Sequence, residues 1–337
     1  MARKTLRVGV IGIGGAAQIN HLPVLKKMPD VEIVGLCDTD RDKARRVAQK
    51  FGVENVTGNL DDFLKNEEMD AVHVCTPNYL HAPMTVAALQ AGKHVLCEKP
   101  MARNSAESET MVKAARDAGK ILMCAYNQRF RADSQFIKRC MEKKELGTVF
   151  YAKAGWLRRP SAWGAEHWMS NKRRSGGGVL MDLGVPMLDL ALWFLGNPKV
   201  VSASGVSHIT DDEAGVEDLG AAFLRLEGGA TLTLEVSWTV LLEKDFPYCN
   251  IFGSSGAALL NPLRLHRGMH GNLVNVTPNL DSGRNVKESY ENEIAHFVEC
   301  VRKGSQPIAS GEEAHAVMKV MDAIYKSAST RKEVKVG

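Results

Sequence analysis

Val8-Gly9-Val10-Ile11-Gly12-Ile13-Gly14-Gly15-Ala16-Ala17 is an apolar run that ends in a G-x-G-x-x-A fingerprint. The run from Leu6 to Ile11 predicts a buried strand, and the apolar spacing of Ala17–Met28 predicts a helix. Between a strand and a helix each small residue has a geometric task. Gly12 permits the tight turn, Gly14 lets the main chain approach a pyrophosphate, and Ala17 stands where the helix packs closely on the strand. The helix start offers free N–H groups and the positive end of a dipole to phosphate. Gly12, Ile13, Gly14, Gly15 and Ala16 are therefore the expected phosphate-facing segment of a dinucleotide site.

Working outward, strand and helix patterns alternate. Strands are predicted at Glu32–Cys37, Ala71–Cys75, His94–Cys97 and Ile121–Ala125. Helices are predicted at Arg41–Phe51, Leu80–Ala91 and Ser105–Ala118. This order reads as βαβ units on a parallel sheet, a Rossmann-type α/β domain over residues 1–126. The second strand ends at Asp38, whose carboxylate suits the ribose hydroxyls of NAD and repels the 2′-phosphate of NADP, with Asp40 adding to the repulsion. Arg41 could hold such a phosphate, and a helix N-cap is the alternative role for Asp38. Ligands bind at the carboxyl ends of such strands. Thr76, Pro77, Asn78 and His81 follow the third strand, and Glu98 and Lys99 follow the fourth, so both loops could meet a ligand.

After a bridging helix at Asp133–Lys143 the pattern changes. Strands are predicted at Thr148–Ala154, Val200–His208, Leu219–Leu226, Ala230–Trp238 and Tyr248–Phe252, with a helix at Gly184–Leu195. Glu227-Gly228-Gly229 is a hairpin signal. Residues 127–337 thus read as an α+β domain with an open, mostly antiparallel sheet, for binding substrate and for oligomerisation. Residues 262–288 read as loop. Two helices close the chain, the first with an apolar stripe of Ile294, Phe297, Val298 and Val301, and they are free to pack back on the first domain.

Bulk properties narrow the class. The 43 basic and 39 acidic side chains leave a net charge of +4, too even for a nucleic-acid protein. No uninterrupted apolar run spans a bilayer, and no secretory leader precedes the first strand. Seven scattered cysteines without a CxxC pair suggest reduced thiols in the cytoplasm. Cys37, Cys75, Cys97 and Cys124 close predicted strands and read as small apolar fillers. No metal site is expected: His266 and His270 are four apart, but no acidic or thiol ligand is nearby, and they read as solvent-facing loop residues.

Three motifs together resemble the Gfo/Idh/MocA oxidoreductase family: Gly12–Ala17, Thr76-Pro77-Asn78-Tyr79-Leu80-His81, and Glu98-Lys99-Pro100. The resemblance extends to Gly176-Gly177-Gly178, Asp182, Gly184 and Asp189, and so covers nearly the whole chain. It implies an NAD(P)-dependent oxidation or reduction of a sugar, polyol or related alcohol or ketone. It also implies that Lys99 touches cofactor and substrate, with a cis Lys99–Pro100 bond aiming it.

An alcohol that gives up hydride also loses a proton, and a cation steadies the developing alkoxide. Lys99 can supply that charge or, with a lowered pKa, the base. Members of the family it resembles carry Asp-x-x-x-His-x-x-Asp on a helix. Here the stretch is Asp182-Leu183-Gly184-Val185-Pro186-Met187-Leu188-Asp189, and proline stands where the histidine belongs. Three readings follow. Lys99 with Asp182, helped by His167 or Tyr126, does the work; or the chain runs an NAD-assisted elimination or glycoside cleavage; or it binds NAD and a sugar as a sensor without turnover. For Asp182 the alternative is an N-cap. The stretch 156–174 holds three of the five tryptophans and five basic residues, and reads either as a substrate wall or as a subunit contact. Tyr126, Arg129, Trp163 and Asp189 are the expected substrate residues, with fixing the domain junction as the alternative for Arg129. A homodimer or homotetramer is expected from the open sheet.

Overall fold

A computed structural model of the chain describes residues 5–160, 168–210, 215–280 and 286–337. The chain divides into two compact units. The first comprises Met1–Ala102, Ala106–Asn127 and Val286–His315; the second comprises Arg103–Ser105, Gln128–Asn285 and Ala316–Gly337. Trp163 and His167 lie outside the described residues.

The first unit is built on six parallel strands: β1 (Leu6–Ile11), β2 (Val31–Cys37), β3 (Val56–Thr57), β4 (Ala71–Val74), β5 (His94–Glu98) and β6 (Leu122–Ala125). Their order is β3-β2-β1-β4-β5-β6, so the winding reverses between β1 and β4. β4 and β6 are buried along their whole length, which is why neither shows polar-apolar alternation; β6 is apolar throughout, and β4 is apolar but for His73. The connecting helices are α1 (Leu22–Lys27), α2 (Arg41–Phe51), α3 (Leu60–Leu64), α4 (His81–Gln90) and α5 (Ser105–Ala118). A single wide π turn, Ala17–His21, precedes α1, and Leu22 N–H reaches back five residues to the carbonyl of Ala17. The side chain of Asp40 caps α2 by accepting the Lys43 N–H at 2.9 Å, and Gly52 ends it with φ of +67°. The capping role considered for Asp38 thus belongs to Asp40.

The second unit contains α6 (Ala132–Glu142), β7 (Val149–Leu157), the one-turn α7 (Lys172–Ser175) and α8 (Val185–Phe194). Then come β8 (Val200–His208), β9 (Leu219–Leu226), β10 (Thr231–Ser237), β11 (Phe246–Gly253), β12 (Gly256–Leu260), β13 (Arg264–Met269) and β14 (Asn272–Asn275). Helices α9 (Val286–Lys303) and α10 (Gly311–Thr330) and the short strand β15 (Val334–Lys335) end the chain. The nine-stranded order is β14-β13-β12-β11-β7-β10-β9-β8-β15. Every neighbouring pair is antiparallel except β7 with β10.

One expectation is overturned. The stretch 262–288 holds two strands and the start of α9, and β12 precedes it unforeseen. β13 and β14 pair around His270 and Gly271, both at positive φ. An edge hairpin has little to bury, so its residues carry no alternating pattern, and only the main-chain ladder defines it. His266 accordingly lies within β13 and not in a loop.

All ten residues of α8 are buried. Within Lys172–Phe194 an 18-residue window has a mean hydropathy of 1.4, enough by length and composition to cross a membrane, but 94% of that window is buried inside the protein, as a core helix would be. On α9, Ile294, Phe297 and Val298 are buried and Val301 is half-buried, the predicted stripe. Residues of α9 and α10 up to His315 belong to the first unit.

Candidate active site

The first unit gathers its chemistry at the carboxyl ends of its strands. Gly12, at the end of β1, has φ of +85°, and a Cβ there would meet the main chain of Cys75 and Thr76 at 2.8 Å. Only glycine fits that turn. Gly14 and Gly15 have nothing within 4 Å of where a Cβ would project. The loop therefore presents bare main chain to open space, as a pyrophosphate requires. At the end of β2, Oδ2 of Asp38 accepts the N–H of Ile13 at 2.7 Å and lies 3.0 Å from Nζ of Lys43. Its Oδ1 accepts the N–H of Asp40 at 2.8 Å. Asp38 thus anchors the glycine loop to β2 while a lysine partly offsets its charge. These residues fit a dinucleotide.

The loop after β4 is tied to the loop after β5 by His81. Its Nδ1 lies 2.7 Å from the carbonyl of Pro100 and its Nε2 lies 2.7 Å from the carbonyl of Thr76. Burial pulls its pKa down, against those two carbonyl bonds. A neutral ring donates to only one of these carbonyls, but both of its nitrogens face main chain within the protein, so His81 shapes the expected cofactor loop and does not itself face outward. Asn78 is buried as well. The Lys99–Pro100 peptide is cis, and the Lys99 N–H donates to Oε2 of Glu98 at 3.0 Å.

Beneath Glu98 lie two histidines that sequence reasoning passed over. Nε2 of His21, on the π turn, is 2.9 Å from Oε1 of Glu98, and Nδ1 of His21 is 2.9 Å from Nδ1 of His73 on β4. Both rings are fully buried. Burial pushes the Glu98 carboxyl up, but the His21 hydrogen bond, with the charge of Lys99 beside it, outweighs it and holds the carboxyl below its ordinary range. Burial holds His73 well below the ordinary histidine value. The missed signal was a polar residue inside an otherwise apolar strand, His73 in Ala71–Val74.

In the second unit Gly176–Gly178 form a turn whose glycines are required by partners far along the chain. A Cβ on Gly177 would sit 1.9 Å from the Tyr325 hydroxyl, and one on Gly178 would sit 1.9 Å from the Glu217 carbonyl. Oε1 of the buried Glu217 accepts the N–H groups of Gly178 and Leu180 and the hydroxyl of Tyr325, at 2.8, 3.2 and 2.7 Å. Burial raises the Glu217 pKa despite these bonds. Gly178→Ala is expected to cost about 3 kcal/mol, the scale of an overpacked core, and chemical denaturation would measure it. A loss under 1 kcal/mol would show that the turn can open.

That turn leads into a second wide turn, Leu180–Gly184, which carries Asp182. Its carboxylate Oδ2 accepts Nε1–H of Trp238 at 3.2 Å and lies 3.5 Å from Nη1 of Arg158. Asp182 therefore does not cap a helix; it is aimed by an indole and a guanidinium. Pro186 stands in the first turn of α8, where a helix tolerates a missing N–H. Arg129 and Asp189, expected on substrate, face each other instead. Their side chains are fully buried and joined by two bonds of 2.8 and 2.6 Å, with the guanidinium 5.6 Å from the Trp193 ring. Tyr126, at the end of β6, is buried. All seven cysteines are buried and unpaired with one another, and burial pushes the Cys97 thiol up to about 12, as suits inert fillers.

Comparison with known proteins agrees with this geometry. Residues 6–126 match the model of an oxidoreductase family with an NAD-binding Rossmann fold, and residues 134–259 match the GFO/IDH/MocA C-terminal domain. The chain is 30% identical to the D-glucoside 3-dehydrogenase of Escherichia coli (strain K12), over 100% of this chain and 99% of that protein. It is 29% identical to the myo-inositol 2-dehydrogenase of Thermotoga maritima, over 98% of each. A solved structure of levoglucosan dehydrogenase in complex with NADH shares the fold, with a TM-score of 0.90 at 23% identity, covering 98% of this chain and 99% of the other.

Proposed function

The chain belongs to the GFO/IDH/MocA family of NAD-binding oxidoreductases, and from that premise we propose that it oxidises an alcohol carbon of a sugar or polyol. The observation that carries this reading is the row of strand ends in the first unit: Asp38 after β2, the bare glycine loop after β1, and Glu98-Lys99 after β5. A dinucleotide laid across such a row puts adenosine over β2 and pyrophosphate over β1. The nicotinamide then falls on the side of β4 and β5, with Glu98 and Lys99. Bound NAD supplies the hydride acceptor. The protein's own task is the proton and the developing alkoxide charge, and Lys99 is proposed for both. Tyr126, at the end of β6 in the same unit, is proposed for a substrate hydroxyl; Asp182, aimed by Trp238 and Arg158 within the second unit, is proposed separately as an acceptor for a sugar hydroxyl. Arg129 and Asp189 are proposed as structural, since each uses the other.

The test is NADH formation, followed by absorbance, with NAD and a panel of sugars, polyols and sugar acids. Turnover of at least one sugar-like alcohol is expected. Binding of NAD and a sugar by calorimetry with no NADH formed would sink the redox reading and favour a sensor, the role that Pro186 in place of a titratable residue would permit.

Coenzyme choice is tested separately. NAD is expected to bind at least about tenfold more tightly than NADP, because Asp38 would sit against a 2′-phosphate. Asp38→Ala is expected to shrink that ratio, though Lys43 beside the carboxylate moderates the change. A ratio unmoved in Asp38→Ala would show that Asp38 serves only to anchor Ile13. We also propose a cytoplasmic, homo-oligomeric protein, from the seven thiols without disulfides and from Val206 and Phe223 exposed on β8 and β9.

A further inference from the structure

Three ionisable side chains lie in line in the first unit, and the mechanism so far uses only the last. His73, His21 and Glu98 are at most 8% exposed, and two 2.9 Å contacts join them. The direction of the line follows from hydrogen-bond logic. An ionised Glu98 only accepts, so Nε2 of His21 must donate to Oε1. Between the two Nδ1 atoms one must donate. Nε2 of His73 is buried with no hydrogen-bond partner, and the Phe297 ring packs edge-on against His73, with centroids 5.5 Å apart. A bare lone pair is cheaper to bury there than an orphaned N–H, so His73 carries its proton on Nδ1 and donates to His21. Two donors thus point in series at one carboxylate oxygen. The Lys99 N–H holds the other oxygen at 3.0 Å.

We propose that His21 and His73 are positioning residues that hold Glu98 as a fixed anion on the nicotinamide side of the coenzyme, and so weight binding toward the oxidised form. The inference rests on the coenzyme placement proposed above. The oxidised nicotinamide ring is a cation and the reduced ring is neutral. An anion held beside it in a water-poor site therefore favours the first over the second. The other titratable groups around Glu98 are Cys75, Cys97, His81, Lys99, Tyr290 and Glu293. Of these, Lys99 opposes the anion's field and Glu293 adds to it. Lys99 sits next to Glu98 in sequence and is present in every variant below, so its contribution cancels.

The experiment measures the dissociation constants of NAD and NADH, by calorimetry and by NADH fluorescence, at neutral pH. The proteins are the unmodified chain, His21→Leu, His21→Gln, Glu98→Gln and the double variant His21→Leu/Glu98→Gln. The quantity read is the ratio of NAD to NADH affinity, which general loosening of the fold does not move. Glu98→Gln and His21→Leu are each expected to lower it by about tenfold, the size of one lost charge interaction in a partly screened site. His21→Gln keeps an N–H donor and is expected to stay within about twofold. The double variant is expected to match Glu98→Gln alone, because His21 acts through Glu98.

An unchanged ratio in His21→Leu would overturn the proposal, and so would a His21→Leu effect that persists undiminished on the Glu98→Gln background. Should His21→Leu fail to fold, His73→Phe removes only the rear donor, with about a threefold loss expected; no change there would overturn it as well. A chain that binds neither coenzyme would instead refute the coenzyme reading itself, which keeps the two failures apart.

Discussion

Lys99→Met is expected to lower the rate constant for NADH formation by about a thousandfold or more without weakening NAD binding. Pro186 leaves this role to Lys99. Proline has no titratable group, so α8 offers no proton acceptor at that position. Lys99 stands at the end of β5, its main-chain N–H bonded to Glu98 and its peptide to Pro100 cis. Methionine keeps the length and apolar stem of lysine and removes only the charge and the proton site. Lys99→Arg separates the two roles. An arginine keeps the charge but never gives up its proton near neutrality. If Lys99 serves only as a cation, Lys99→Arg is expected to recover much of the rate. If it serves as the base, Lys99→Arg stays as slow as Lys99→Met. Steady-state rates with the best substrate of the panel, beside calorimetric NAD affinities, make the measurement. More than a tenth of the original rate in Lys99→Met would assign the proton to another residue.

Asp189→Ala is expected to destabilise the protein by roughly 3–5 kcal/mol, because it takes a carboxylate away from a buried guanidinium. Both members of the pair are fully buried, and their two short bonds leave Asp189 no exposed oxygen for a ligand. For a chain of this size such a loss lowers the unfolding temperature by on the order of 10 °C. Removing both charges with Arg129→Met/Asp189→Leu is expected to cost less than either single change, since nothing charged is then left without a partner. Thermal and denaturant unfolding of the three variants would measure this. Equal losses in the single and double variants would contradict it. A loss of sugar affinity at unchanged unfolding temperature would return Asp189 to the substrate role that its motif suggested.

How much could be read without coordinates depended on how local each signal was. The strand, glycine turn and helix of residues 6–28 all lie within one stretch, and the sequence shows their alternation directly. Asp38 was legible for the same reason: it ends a strand whose place in a βαβ unit was already clear. The glycines at 176–178 were visible as a motif but not as a requirement. Their crowding comes from Glu217 and Tyr325, some 40 and 150 residues later. Arg129 and Asp189, 60 residues apart, looked like ligand contacts because a charged side chain near a motif gives no hint of its partner. The hairpin of β13 and β14 went unseen because its main chain, and not its side chains, defines it.

What the sequence by itself determined is the class of protein: a parallel, dinucleotide-binding unit followed by a mostly antiparallel one, with Gly12, Gly14 and Asp38 at the carboxyl ends of the first two strands. Periodicity, turn chemistry and charge type are properties of neighbouring residues, and they survive in a linear reading. Only the tertiary structure decided which buried charges answer one another. It joined His73, His21 and Glu98 across 52 and 77 residues, and it turned Arg129 and Asp189 inward. A buried charge must find a partner, but desolvation sets no limit on how far along the chain that partner lies.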